Sequence, residues 1–250
     1  MNDLVWWIKQ TLRYSPRVRR KWQRVDLPVF ISQFSAEQSK RYQLLVQHYD
    51  TSAWSQYCTE SEFQENLYLL DVLDAYVPAT DILKRKAIDI GCRNFCHLPA
   101  LFAFFPGAWT GIEVDAHTRY KNGYTRRAYG EYMAAQFPNA RYRAQSFLAV
   151  QGQYQLMVWL LPFLFWGTQK AWGLPKRFFV PREMLLKALS ILAPQGVLLI
   201  INQGKDEARY QQCLLEEYKA DYQSLGAIQS VFSPFTKQRY AWLVKGVNEK

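Results

Sequence analysis

Apolar residues recur along this chain in two rhythms, and the change from one to the other comes near Lys86. Before it the spacing is helical or absent. Leu4, Trp7, Ile8 and Leu12 stand three to four residues apart, with Asn2 or Asp3 able to cap the start and Pro16 to end the run, which predicts a short amphipathic helix. Residues 25–60 mix aromatics with Ser and Gln without a clear period and read as an irregular cap. Over Ser61 to Lys86 the spacing returns in Phe63, Leu67, Leu70, Leu73 and Val77, with Pro78 expected to close that helix.

Beyond Lys86, short apolar runs alternate with helical stretches, the pattern of βαβ units around a parallel sheet. The runs predict strands at Ala87–Ile90, Trp109–Val114, Ala140–Ala144, Gln155–Leu160, Val197–Asn202, Ala227–Phe232 and Tyr240–Lys245. Helices are expected over Leu98–Phe105, Thr118–Phe137, Arg182–Leu192 and Asp206–Leu225. Only Ser233–Arg239 separates the last two strands. That link is too short for a parallel crossover, so they should pair antiparallel at one sheet edge.

A chain of 250 residues that is 49% hydrophobic can bury the core of one large α/β domain with a helical extension, which excludes disordered and fibrous classes. Its longest apolar run, Leu156–Trp166, is interrupted by Pro162 and falls short of the roughly 20 residues a bilayer needs. No transmembrane segment is expected, and the N-terminus has no export-signal pattern. The cysteines Cys58, Cys92, Cys96 and Cys213 are too scattered for a disulfide framework, so a cytoplasmic location, with peripheral membrane attachment open, is the expectation. Cys92 and Cys96 lack a second ligand pair at zinc spacing, and no metal is expected.

Charge is concentrated. Of the net +10, residues 1–24 hold seven Lys/Arg against Asp3, and residues 119–143 hold six against Glu131. Clustering of one sign reads either as a footprint for an anionic partner, RNA or a membrane surface, or as solvated helix faces.

Candidate chemistry sits at strand ends. The first strand runs into Ala87-Ile88-Asp89-Ile90-Gly91-Cys92-Arg93-Asn94, and Asp-x-Gly turning into a helix places backbone N–H groups at the carboxyl edge of the sheet, where open α/β folds bind ligands. The second ends Glu113-Val114-Asp115, where an acidic tip can accept hydrogen bonds from a ribose diol.

From Lys86 to Gly246 the sequence resembles the class I S-adenosylmethionine-dependent methyltransferases. The resemblance implies an α/β fold: a seven-stranded, mostly parallel Rossmann-like sheet with a terminal antiparallel hairpin, in residues 83–250, plus an N-terminal helical cap in residues 1–82. It implies S-adenosylmethionine as cofactor, with Asp89 and Gly91 along its methionine part and Cys92 and Arg93 beside them as further cofactor-binding candidates. Glu113, with Val114 and Asp115 beside it, would face the ribose, and Gln145 or Ser146 the adenine. Leu160 leads the segment after the fourth strand, where amino-methylating members carry Asn or Asp before two prolines and an aromatic; here only Pro162 and Phe163 echo that pattern. Arg93, Asn94 and Phe95 replace the family's further glycines, and Arg93 either meets the methionine carboxylate or fills the site.

His97 is the nearest candidate general base. The aromatic and basic stretch Phe163–Pro181 is the candidate acceptor loop, and Asn202-Gln203-Gly204 either meets a substrate or caps the following helix. The expected activity is methyl transfer to a small molecule, glycan or lipid-linked acceptor. An RNA methyltransferase and a non-catalytic module keeping the fold are the alternatives.

Overall fold

The computed structural model describes residues 2–12, 15–18, 25–78 and 86–247. The basic run Arg19–Arg24 and the far end of the helix expected to reach Lys86 lie mostly outside them. Five helices come first: α1 (Asn2–Thr11), α2 (Leu27–Ser32), α3 (Ala36–His48), α4 (Trp54–Tyr57) and α5 (Glu60–Tyr76). The sheet region follows as β1 (Lys86–Ile90), α6 (Leu98–Phe104), β2 (Ala108–Ile112), α7 (Arg126–Ala134), β3 (Arg141–Arg143), β4 (Tyr154–Leu160), α8 (Trp166–Ala171), α9 (Pro181–Ile191), β5 (Leu192–Gln203), α10 (Gly204–Glu217), β6 (Tyr222–Ala227) and β7 (Arg239–Lys245).

Side chains alternate along the strands and feed two cores, one on each face of the sheet. Ala87, Leu156, Val158, Leu199 and Ile201 point to one face, where Phe63, Leu67 and Leu70 of α5 and Leu98 and Leu101 of α6 cover them. Ile88, Ile90, Met157, Trp159, Leu198 and Ile200 point to the other, beneath Leu185 and Ala188 of α9 and Leu214 and Leu215 of α10. The first core also takes in Val25, Phe30, Leu45 and Trp54, so the helices before β1 share buried contacts with the sheet.

The strand order is β3-β2-β1-β4-β5-β7-β6, with β7 antiparallel to both its neighbours. The expected mostly parallel seven-stranded sheet with its antiparallel end is the observed architecture. Because the chain leaves β1 toward β2 and β3 and then returns to β4 on the other side, the crevice between the ends of β1 and β4 is the topological switch point, where such sheets bind ligands.

Three local expectations are corrected. Residues 25–60 are largely helical. Ser35 with Gln38 and Thr59 with Glu62 form capping boxes for α3 and α5, and Asp26 caps α2. The single buried residues Phe30 in α2 and Leu45 in α3 make an apolar stripe too thin to read as a period. The helix expected over Thr118–Phe137 begins only at Arg126, because Gly123 takes a positive φ of 83° in a turn and Thr125 then caps the helix. The sixth strand is Tyr222–Ala227 rather than Ala227–Phe232. α10 stops at Glu217, where Lys219 adopts φ 50° and the amides of Lys219 and Ala220 fold back on Glu216 and Leu215.

Candidate cofactor and acceptor cavity

A cavity of about 440 Å³ opens at the carboxyl ends of β1, β2 and β4. One wall is formed by Asp89, Ile90, Gly91, Arg93 and Glu113 at the ends of β1 and β2, and a second by Phe163, Trp172, Leu174, Phe178 and Met184 from the segment after β4 and from α9. Trp159, Leu160 and Gln203 also line the cavity. Gly91 holds φ 72°, and a Cβ placed there would meet nothing within 4 Å, so its backbone borders open space.

The turn after β1 fixes the carboxylate of Glu113. The backbone amide of Arg93 donates to Oε2 at 2.9 Å and that of Asp115 to Oε1 at 2.7 Å. Each oxygen keeps a lone pair, so the buried, oriented carboxylate can still accept two hydroxyl hydrogens. Asp89 differs: 1% exposed and lining the cavity, it has an Oδ2 with no protein partner. Burial pushes its carboxyl up to about 7, with the Glu113 charge adding to the rise and His97 and Arg93 opposing it. Burial likewise raises Glu113, against the pull of Arg126. An unpartnered buried carboxylate oxygen beside an oriented diol acceptor and a bare glycine backbone fits a cationic, ribose-bearing ligand.

His97 lines the cavity and donates from Nε2 to Oε2 of Glu65 on α5 at 3.2 Å when that nitrogen carries the proton. This bond holds the Glu65 carboxyl below the usual range. It also leaves Nδ1 as the basic nitrogen. Glu65, Cys96 and His97 have ligand atoms within 4.8 Å of one another, a grouping the sequence spacing concealed because Glu65 comes from the N-terminal helices.

Of the sequence candidates, Asp89, Gly91, Arg93, His97, Glu113, Val114, Ser146 and Leu160 line the cavity together. Cys92, Asp115 and Gln145 do not line it. Cys92 is buried behind the loop against Gly111, where an added Cβ would lie 2.8 Å from its sulfur. Asp115 turns away to Arg126 at 3.1 Å and the Thr118 hydroxyl at 2.7 Å, with Lys9 at 3.6 Å. Gln145 donates its backbone N–H to the Arg143 carbonyl. Gln203 reaches the cavity while its Oε1 accepts from Arg239 at 2.7 Å; Asn202 is buried, accepting from the Trp242 indole at 2.8 Å.

Sequence reasoning missed Arg126, Leu148 and Glu207. Arg126 lies 5.5 Å from the Trp172 ring centre while pairing with Asp115, a contact that unites two segments 46 residues apart in numbering. The basic stretch 119–143 is partly neutralised within the fold: Arg126 and Arg127 are ion-paired and Arg119 donates to the carbonyls of Gly123 and Leu12.

No protein-family model and no curated protein sequence matches the chain. Among solved structures it is similar to a SAM-dependent methyltransferase from Aquifex aeolicus, with a TM-score of 0.52 and 12% identity, over 84% of this chain and 98% of that one. Two others are the magnesium protoporphyrin IX methyltransferase from Synechocystis PCC 6803 with bound SAM (TM-score 0.48, 12% identity, 90% and 100% covered), and the N-methyltransferase NodS from Bradyrhizobium japonicum WM9 with S-adenosyl-L-homocysteine (TM-score 0.47, 15% identity, 82% and 98% covered). At such identities the likeness is one of fold. The chain has the Rossmann-like fold of the class I SAM-dependent methyltransferases.

Proposed function

We propose that this fold serves S-adenosylmethionine-dependent methyl transfer to an acceptor with an apolar body, a small molecule or a lipid-linked substrate. The observation that carries the reading is one continuous cavity joining the Asp89, Gly91 and Glu113 edge to the aromatic wall of Phe163, Trp172 and Phe178. S-adenosylmethionine supplies a methyl group already activated on a sulfonium, so the protein's contribution is positioning and exclusion of water.

Glu113, held by two amides, would accept the ribose hydroxyls, and Asp89 would take the cationic end through its unpartnered oxygen. Ser146 and Phe147, which line the cavity, would meet the adenine, and Arg93, also in the lining, would meet the methionine carboxylate. The aromatic wall suits stacking on a flat or aliphatic acceptor. Where the acceptor nucleophile carries a proton, Nδ1 of His97 would receive it, with Glu65 as the positioning residue that holds the tautomer. RNA suits this wall less well, since part of the 119–143 charge is paired internally.

Isothermal titration with S-adenosylmethionine and S-adenosylhomocysteine tests the reading. Both should bind the wild type, and Glu113→Ala and Asp89→Ala should lose most of that affinity while remaining folded by circular dichroism. A folded wild type that binds neither compound would instead support a non-catalytic module.

A further inference from the structure

Helix α1 is amphipathic in the inverse sense to a packed helix. None of its residues is buried. Its polar side faces the protein: the Asn2 amide donates to the carbonyls of Lys170 and Leu174 at 3.2 and 3.1 Å, Asp3 pairs with Arg177, and Lys9 donates to the Thr118 hydroxyl at 2.7 Å. Trp6 is the aromatic exception on that side, its ring 5.1 Å from Phe178 and 4.7 Å from the Arg177 guanidinium. The side expected to pack is turned to solvent: Leu4 is 62% exposed, Trp7 60% and Leu12 61%, with Val5 and Ile8 also exposed. Helices that merely cap a domain bury such a stripe.

We infer that this outward face of α1 docks on an anionic phospholipid surface. An apolar face with Trp and Leu, next to a run of Lys and Arg, is the composition of helices that lie in a membrane interface. Charge complementarity supplies the second element, since residues 1–24 carry seven Lys/Arg against one Asp, and the exposed Arg17 is among them. The partners that hold α1 also fix its position, because Leu174 and Arg177 line the cavity. Trp172 and Leu161, cavity residues themselves, are likewise exposed. Docking through α1 therefore brings the aromatic half of the cavity close to the lipid. The docking stands independently of cofactor use, whereas delivery of an acceptor from the membrane rests on the proposed methyl transfer.

Cosedimentation of the full chain with phosphatidylcholine vesicles, with and without phosphatidylglycerol, tests this. The wild type should pellet with the anionic vesicles and be released by salt. The double variant Leu4→Ser/Trp7→Ser should partition at least about 10-fold more weakly, given the apolar area removed, with unchanged thermal unfolding and unchanged S-adenosylmethionine titration. Three results would overturn the inference: a wild type that stays in the supernatant with anionic vesicles at low salt, a double variant that pellets like the wild type, or a wild-type dimer in lipid-free solution that the double variant converts to monomer, which would assign the stripe to a second copy. Loss of cofactor binding alone, with vesicle binding intact, would count against the methyl-transfer reading and leave the docking standing.

Discussion

Across the cavity, two walls hold their side chains by different means. On the β1 and β2 side, Glu113 is clamped by two backbone amides, and the loop that carries Gly91 and Arg93 hangs from the Ile112 carbonyl through the amides of Gly91 and Cys92. On the other side Phe163 meets Trp172 at a tilt with ring centres 5.9 Å apart, Trp166 and Phe179, which do not line the cavity, pack edge to face at 6.0 Å, and Arg177 sits against Trp6 and Phe178. Backbone hydrogen bonds fix direction to within tens of degrees and fail abruptly when lost; ring contacts are weaker and tolerate sliding. Under the proposed function the first wall would hold the cofactor in one pose and the second would receive the acceptor.

The sharpest way to break the first wall leaves the second untouched. Gly111 lies under the loop, where an added Cβ would fall 2.8 Å from the Cys92 sulfur and 3.0 Å from the Phe95 ring. Gly111→Val should cost about 3 kcal/mol of stability by overpacking, measured by chemical unfolding, and should weaken S-adenosylmethionine binding beyond detection. Next in size is Glu113→Gln, which keeps the shape but removes the charge. Titration should show S-adenosylmethionine affinity reduced by about 10- to 100-fold, the range for hydrogen bonds to a charged group, and a fall of less than twofold would remove Glu113 from the site.

The pH response separates the walls in another way. Asp89 titrates near 7 in the folded protein against 3.8 when solvated, so the folded state binds the extra proton between those values. The stability this gives is complete below 3.8 and is lost as the pH rises to about 7. The melting temperature of the ligand-free protein should therefore decline over that window, and Asp89→Asn should flatten the decline. A cationic ligand prefers the carboxylate, so S-adenosylmethionine affinity should climb as the pH rises toward about 7 and level off above it, and the same variant should abolish the climb. The smallest effect is expected on the second wall. Arg177→Ala removes an exposed pair with Asp3 and two ring contacts, and should change stability by less than about 1 kcal/mol while leaving cofactor titration unaltered. A large loss of cofactor affinity in Arg177→Ala would show that the walls are not independent.

Much of the fold was legible in the order of residues, because strand alternation and the short final connection are local facts. Ala87 and Asp89 against Ile88 and Ile90 already separate the two faces of β1, and Asp89, Gly91 and Glu113 stand at strand ends wherever those strands lie in the sheet. The helices in 25–60 were obscured because their caps, not an apolar stripe, define them. The start of the sixth strand is masked in the sequence because Tyr218, Tyr222 and Leu225 continue a helical spacing past the point where Lys219 turns the chain.

What tertiary structure alone decided is which side chains meet. Glu65 and His97 stand 32 residues apart and touch because α5 packs beside the β1 loop. Asp115, two residues beyond Glu113, faces Arg126 and leaves the cavity to its neighbour. The apolar stripe of α1 was plain in the sequence, yet its direction was not: the helix is amphipathic whichever way it turns. Asn2, Asp3 and Lys9 finding partners on segments more than a hundred residues away is what turned that stripe outward.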